Sequence, residues 1–306
     1  MAFLLLSLIF AMNFRTDLAL EVRETIESSE IDGVKSETRN EDGVKITTIE
    51  VFNENGEKQI GKPCGKYVTI ELDSFLKNSA VHEDGIKVLS DELLKMLPES
   101  GTVLVVGLGN KSITPDALGP KSVSLLLATR HIDSELAKSI GLDGLRSVAG
   151  IAPGVLGQTG IETAEIIEAV AKKIQPCAVV VIDALASRKL SRLGTTVQMT
   201  DTGISPGSGV GNKRVEISKR TLGIPVVAIG VPTVVDGATM AFDLLERFDV
   251  DFNDIRGGNV FDEEFMMVTP KEIDLVIERA SQFIAMGINC AMQPNLSADD
   301  ILAIVK

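Results

Sequence analysis

The 306-residue sequence is poor in the residue types that several functions require. It has no Trp and a single Tyr, so it offers little aromatic surface on which single-stranded nucleic acid could stack. Its formal net charge of -13 leaves no basic excess with which to neutralise a phosphate backbone. The composition therefore argues against direct binding to DNA or RNA.

Cysteine and histidine are also scarce. Three widely spaced cysteines provide neither a disulfide framework nor a Cys-rich zinc site, and they indicate a reducing, cytoplasmic compartment. The two histidines, His82 and His131, have no Ser or Cys in a nucleophile-elbow motif nearby, so a hydrolytic triad has no support. No metal and no other cofactor is predicted.

Long hydrophobic runs are absent except at the N-terminus, where residues 1–12 are almost entirely apolar. This run lacks the basic residues and the cleavage site of a signal peptide. It is also shorter than the roughly 20 residues that span a bilayer. We expect translation to begin at Met12, residues 1–11 to have no function, and the protein not to bind membranes.

The rest of the chain divides into two regions with different patterns. Residues 18–98 are polar, with alternating β-type runs at 44–51 and 67–72, a turn signal at 53–56 and a helix at 86–97. Residues 99–306 alternate apolar strands with helices, which predicts an α/β fold with a mostly parallel central sheet and helices on both faces. The predicted strands are 103–106, 178–183, 195–200 and 224–231, and the predicted helices are 120–130, 161–174, 237–248 and 270–286.

Two aspartates follow strands of this predicted sheet. Asp116 comes after strand 103–106 and the glycine turn Gly107-Leu108-Gly109, and Asp183 ends the apolar run 178–182. Each has a purely structural explanation, Asp116 as a helix cap and Asp183 as an acid that holds a turn. Because the carboxyl ends of parallel strands meet in one crevice, the pair favours a hydrolase built on two carboxylates.

A second glycine cluster follows Pro206. It lacks the spacing of a dinucleotide or P-loop motif, so we expect its glycines to let backbone approach closely, either a neighbouring part of the chain or an extended peptide. A non-catalytic module that binds a small ligand remains an alternative, and the two basic residues that end the cluster could be simply solvated. The candidate substrate-binding residues are Gly207, Gly209, Gly211, Lys213 and Arg214.

Together these motifs resemble the germination protease of endospore-forming bacteria, nearly over the whole chain and in order. The resemblance implies an aspartic-type endopeptidase that degrades small acid-soluble spore proteins in the spore core. It also implies a zymogen that assembles as a homotetramer, with Asp116 and Asp183 as the catalytic residues. The segments that carry the resemblance are 15–19, 105–110, 114–121, 129–131, 153–155, 159–163, 182–186, 207–214, 231–236 and 268–272.

A more distant similarity links the same core to hydrogenase-maturation endopeptidases. Those enzymes look like metal binders that use two acids and a histidine placed after the second acid. Here both histidines precede Asp183, so the third ligand is missing. A metal-dependent endopeptidase that uses Asp116, Asp183 and another oxygen donor is therefore the alternative.

The chemistry expected of two neighbouring carboxylates is acid–base catalysis. Both cannot ionise easily, so one keeps a proton while the other stays charged. The charged member takes a proton from the attacking water, and the protonated member polarises the scissile carbonyl and then protonates the leaving amine. The sequence leaves open which aspartate has which role.

The segment Arg15-Thr16-Asp17-Leu18-Ala19 resembles the sites that this family cuts. An N-terminus that mimics substrate can block the cleft, so residues 1–17 are predicted to be a propeptide removed by self-cleavage between Asp17 and Leu18. Mild acid should favour the cut, because protonating carboxylates relaxes both the catalytic pair and the Asp17 contact. The alternative is a strand-like tail that only packs on the core.

Overall fold

The computed structural model describes residues 16–26, 30–76, 83–132, 134–139, 144–208, 214–246 and 266–305. Within these ranges the strands are β1 (Val34–Glu41), β2 (Val44–Val51), β3 (Gly65–Glu71), β4 (Val103–Gly107), β5 (Val148–Ile151), β6 (Ala178–Ser187), β7 (Thr196–Thr200), β8 (Val226–Asp236) and β9 (Met267–Val268). The helices are α1 (Ala19–Glu24), α2 (Glu54–Ile60), α3 (Glu83–Met96), α4 (Leu118–Ser124), α5 (Ser134–Ser139), α6 (Leu156–Thr159), α7 (Thr163–Ile174), α8 (Lys219–Leu222), α9 (Gly237–Glu246), α10 (Ile273–Met292) and α11 (Ala298–Val305).

The strands form one continuous sheet in the order β1-β2-β3-β7-β8-β6-β4-β5, and β9 pairs with the end of β8. Strands β8, β6, β4 and β5 are parallel, whereas β1, β2, β3 and β7 pair antiparallel. The two-residue turn at Asp42 and Gly43, both with positive φ, allows only an antiparallel β1–β2 hairpin. The α/β prediction is confirmed, although the sheet is not wholly parallel.

Helices cover both faces of the parallel strands, which explains their unbroken apolar sequences. In β4, Val103 and Val105 pack on the side of α3 and α10, while Leu104 and Val106 pack on the side of α7. All four side chains are at most 1% exposed. A third apolar cluster packs α1 and α2 against the face of β2 and β3 that lies opposite α3.

Three local predictions were wrong. Residues 53–56 begin helix α2 rather than a turn, because the Asn53 side chain accepts a hydrogen bond from the Gly56 N–H (2.9 Å) as a helix cap. Helix α4 ends at Ser124 instead of reaching 130, so His131 lies in an exposed turn. Helix α10 begins at Ile273, after a turn that includes Pro270, and continues to Met292.

The boundary predicted at 98/99 falls in the segment that joins α3 to β4, and the sheet is continuous across it. No helix in the described ranges is long and apolar enough to cross a membrane. The predictions made for residues 1–11 concern a segment outside the described residues.

Candidate active site

The turn after β4 is shaped by glycines whose backbones approach other backbone closely. Gly109 has φ 111, and a Cβ on it would lie 2.0 Å from the carbonyl oxygen of Asp116. A Cβ on Gly119 would lie 2.3 Å from the carbonyl oxygen of Leu108. The turn therefore folds back onto the start of α4, and any larger residue at either position would displace it.

Asp116 lies in this turn, in a short 3₁₀ helix (Thr114–Asp116). Its Oδ2 accepts a hydrogen bond from the Asn110 N–H at 2.7 Å, and the Thr233 hydroxyl of β8 donates to the Pro115 carbonyl at 2.9 Å. The cap position of α4 is Ala117, without a side-chain cap, so the interpretation of Asp116 as a helix cap is wrong. Burial raises the pKa of Asp116, and the Asn110 N–H opposes that rise.

Asp183 lies inside β6 rather than at its end, because β6 continues to Ser187. It nevertheless lines a cavity, and the pairing of β6 with β4 stops one residue before it, at Ile182. Its side chain is buried, and Oδ1 accepts a hydrogen bond from the Ala184 N–H at 2.9 Å. Burial raises the pKa of Asp183 well above the usual carboxyl value, and the charges of Asp116 and Asp17 raise it further.

The two aspartates line the same cavity, of about 650 Å³. It opens beside β4. The next two strands in the chain, β5 and β6, lie on opposite sides of β4, so the order of strand addition reverses there. Such a reversal at the carboxyl ends of parallel strands is where α/β proteins bind their ligands. The structure therefore brings together the two carboxylates that the sequence singled out.

The second glycine cluster lies only partly within the described residues. Gly207 and Arg214 line the cavity, and the Arg214 guanidinium lies 3.8 Å from the Glu162 carboxylate. Gly209, Gly211 and Lys213 lie outside the described residues. The described residues of the cluster thus line the same cavity as the acid pair.

Asp17 is a third carboxylate in this cavity, and both its backbone and its side chain are bound. Its N–H donates to the Ala186 carbonyl (2.9 Å), and its side chain accepts from the Ala186 N–H (2.8 Å) and the Ser208 hydroxyl (3.1 Å). Its carbonyl oxygen accepts from Gln198 Nε2 (3.0 Å) and Lys62 Nζ (3.1 Å). The residue is bound in the manner of a peptide ligand.

The residues after Asp17 anchor this segment to the core. Leu18 is 0% exposed, and α1 begins directly after it. The buried Glu21 carboxylate accepts hydrogen bonds from the N–H groups of Arg188 (2.6 Å) and Lys189 (2.9 Å), which follow β6. The segment is therefore held on both sides of the Asp17–Leu18 peptide bond.

Neither Lys62 nor Gln198 was predicted from the sequence. Gln198 carries a weak signal, since it is a buried polar residue between the apolar Val197 and Met199 of β7. Lys62 has no local signal, because it follows α2 in an ordinary polar stretch. Their contacts to Asp17 depend on tertiary structure alone.

The described part of the chain contributes no histidine to the cavity. His131 is exposed and is not part of the cavity wall, and His82 lies outside the described residues. Within the described ranges no group of three His, Cys, Asp or Glu side chains is arranged to hold a metal ion.

The fold and the cavity define the chain as an α/β protein with an acidic cleft at the carboxyl ends of its parallel strands. A family model described as germination protease matches residues 13–253. The chain belongs to the germination protease family and is therefore a peptidase.

Relatives support this assignment along nearly the whole chain. The germination protease of Clostridium perfringens is 47% identical over 324 residues, which cover 94% of this chain and 98% of the relative. That of Caldanaerobacter subterraneus subsp. tengcongensis is 44% identical over 320 residues, covering 96% and 98%. That of Priestia megaterium is 38% identical over 354 residues, covering 94% and 95%.

Among solved structures, the NiFe hydrogenase maturation protease HycI from Thermococcus kodakarensis KOD1 is similar to this chain. The TM-score is 0.35 and the sequence identity is 17%. The match covers 64% of this chain and 98% of that chain.

Proposed function

We propose that this peptidase is an aspartic-type endopeptidase in which Asp116 and Asp183 share one proton. The observation that carries the proposal is the pair itself. The buried Asp183 and the half-buried Asp116 line one cavity, and burial together with the charge of Asp116 raises the pKa of Asp183. Two neighbouring acids in such surroundings titrate as a coupled pair, in which the second proton is lost at a higher pH than from a lone carboxyl.

The surroundings of each carboxylate suggest its role. Asp183 keeps the proton, because it is the more buried of the two and faces two other carboxylates. Asp116 is the ionised base, because the Asn110 N–H stabilises its charged form. Asp116 takes a proton from water as the water attacks the scissile carbonyl, and Asp183 protonates the leaving amine.

The N-terminal segment is proposed to be a propeptide that the enzyme removes by cutting between Asp17 and Leu18. Asp17 lines the same cavity as the acid pair, so the segment obstructs the entry of another peptide there. The anchoring of Leu18 and α1 to the core keeps the bond in place. A chain with its own N-terminus in the cleft is an inactive zymogen.

The proposed substrates are small acid-soluble spore proteins, cut in the spore core when germination begins, and the proposed assembly is a homotetramer. Both proposals follow from membership of the germination protease family, and the substrate proposal also rests on the resemblance of residues 15–19 to its cleavage sites. Analytical ultracentrifugation of the purified chain measures the assembly directly.

The test of the catalytic assignment is self-cleavage of the purified full chain in mild acid, followed by N-terminal sequencing. A new terminus at Leu18 is expected. Asp116→Asn and Asp183→Asn should each abolish the cut while leaving the elution volume of the wild-type assembly. A terminus elsewhere, or one that forms equally fast in either variant, would contradict the proposal.

Incubation of the processed chain with a purified small acid-soluble spore protein, with and without a chelator, tests substrate and chemistry together. Cleavage that resists the chelator supports the aspartic mechanism, and cleavage that the chelator stops supports the metal-dependent alternative. Absence of cleavage by correctly processed protein would contradict the proposed substrate.

A further inference from the structure

The carbonyl group of Asp17 is the one that water attacks if the bond to Leu18 is cut. Its oxygen accepts two side-chain hydrogen bonds, from Gln198 Nε2 at 3.0 Å and from Lys62 Nζ at 3.1 Å. Neither donor belongs to the acid pair. During attack on an amide this oxygen becomes negatively charged, and donors at such a position stabilise the transition state.

The orientation of the Gln198 amide is determined by its second contact. Its Oε1 accepts a hydrogen bond from the Ala19 N–H at 2.7 Å, so Nε2 is the atom that faces the Asp17 carbonyl. One side chain therefore binds the backbone on both sides of the Asp17–Leu18 bond. These two contacts orient the Asp17–Leu18 peptide bond in addition to binding its carbonyl oxygen.

The sheet register connects Gln198 to the acid pair. Gln198 of β7 and Asp183 of β6 both pair with Gly230 of β8, from opposite sides. Residues paired in this way point to the same face, and two strand spacings separate them by about 10 Å. Gln198, which binds the Asp17 carbonyl, and Asp183 therefore lie on the same face of the sheet.

Lys62 brings a positive charge to the same oxygen. Its Nζ also donates to the Thr16 carbonyl at 3.2 Å, so it binds two successive carbonyl groups of the segment. Burial of the ammonium group lowers the pKa of Lys62, and the Asp17 and Glu21 carboxylates oppose that change. A cation enclosed in this way stabilises a developing negative charge more strongly than an exposed one.

We propose that Lys62 and Gln198 form the oxyanion site of the peptidase, binding the carbonyl oxygen of the residue before the scissile bond. The inference rests on the proposed cleavage between Asp17 and Leu18. The water oxygen bonds to the carbonyl carbon, its proton passes to Asp116, and the C=O electron pair moves to the oxygen held by the two donors. When the C–N bond breaks, the amine nitrogen takes the proton of Asp183.

The side chain of Asp17 provides a matched control, because other groups bind it. Its carboxylate accepts hydrogen bonds from the Ser208 hydroxyl and the Ala186 N–H. The Ser208 hydroxyl binds the carboxylate and not the Asp17 carbonyl oxygen. Ser208→Ala therefore weakens the anchoring of Asp17 without removing an oxyanion donor. Lys62→Met and Gln198→Met remove one donor each, and Lys62→Arg retains a cation with N–H donors.

The experiment measures the first-order rate of self-cleavage of each full chain in mild acid. Loss of one oxyanion donor typically lowers kcat by about 100-fold or more, and we expect that loss for Lys62→Met and for Gln198→Met. Ser208→Ala should slow the cut less than about 10-fold, the size expected for one exposed hydrogen bond. Lys62→Arg should recover most of the rate, which separates the chemical effect from misfolding.

A second measurement separates catalysis from anchoring. Chains that have completed processing in a prolonged incubation are assayed on a peptide with the sequence of residues 13–22. For the two Met variants an oxyanion site predicts a lower kcat, with KM changed no more than about two-fold. An unchanged kcat would show that Lys62 and Gln198 only hold the propeptide, and would overturn the inference.

The remaining outcomes distinguish this inference from the proposal on which it rests. If the wild-type chain cuts between Asp17 and Leu18 and both Met variants cut there at the wild-type rate, the oxyanion site alone is overturned. If the wild-type chain cuts elsewhere, the proposed cleavage and the oxyanion site both fail.

Discussion

Gly109 offers a sharp test of the proposed role of Asp116, because the two residues touch. A Cβ on Gly109 would lie 2.0 Å from the Asp116 carbonyl oxygen, about 1.4 Å closer than the 3.4 Å at which ordinary contacts begin. In Gly109→Ala the Asp116 backbone must therefore move by about that distance. Displacements of about 1 Å in a catalytic group reduce rates by about 100-fold, so peptide cleavage should fall at least that much.

Gly109→Ala should also lose stability, but by less than the roughly 5–15 kcal/mol that keeps a protein folded. The positive φ of 111 costs an alanine about 1–2 kcal/mol, and the movement of the turn adds a similar amount. The matched control is Gly43→Ala, at a hairpin with φ 83 and nothing within 4 Å of the added Cβ. It carries the backbone strain alone and should retain full cleavage of the peptide of residues 13–22.

The assays are peptide cleavage for activity and urea unfolding for stability. Wild-type cleavage by a folded Gly109→Ala protein would refute the reasoning, because Asp116 would then tolerate a displacement that a catalytic base does not. Equal losses of activity in Gly109→Ala and Gly43→Ala would also refute it, since strain far from the cavity would then explain the effect.

Two further predictions concern stability. Because the pKa of Asp183 is raised in the folded state, the wild-type protein loses stability as the pH rises from the usual carboxyl pKa, 3.8, through the raised pKa. Asp183→Asn should therefore melt at a higher temperature than wild type near pH 7. That advantage should vanish below about pH 4, and an advantage that does not depend on pH would contradict the assignment. Glu21→Gln removes the charge from a buried carboxylate that accepts N–H bonds from Arg188 and Lys189, and should lower the free energy of unfolding by about 2–4 kcal/mol in urea. Glu24→Gln, whose side chain is 34% exposed, is its control and should cost less than about 1 kcal/mol, whereas equal losses would show that burial of Glu21 does not matter.

Much of the sheet could be predicted from local sequence, because its strands have strong patterns. The runs in β4 and β6 are continuously apolar, as strands buried on both faces must be. The alternation in β2 predicted a half-buried strand that the structure contains. The polar strand β1 and the short strand β5 have no comparable pattern, and their pairing with stronger neighbours stabilises them.

The sequence alone also singled out the two aspartates as candidates, because each follows an apolar run and such a run is a local feature. The glycine turn before Asp116 was visible for the same reason, since only glycine allows the approach at Gly109. That β6 runs past Asp183 to Ser187 was not predictable, since the length of the strand depends on its pairing with β8.

What only the tertiary structure decided is which distant groups surround Asp17. Gln198 donates to the Asp17 carbonyl from 181 positions further along the chain, and the Ala186 N–H binds its carboxylate from 169 positions away. Sequence patterns report the period and the burial of each strand, but they do not specify its partners. Those partners follow from the antiparallel pairing of β3 with β7 and of β7 with β8, which joins the N-terminal strands to the parallel ones. Asp17 thereby comes to line the cavity of the acid pair.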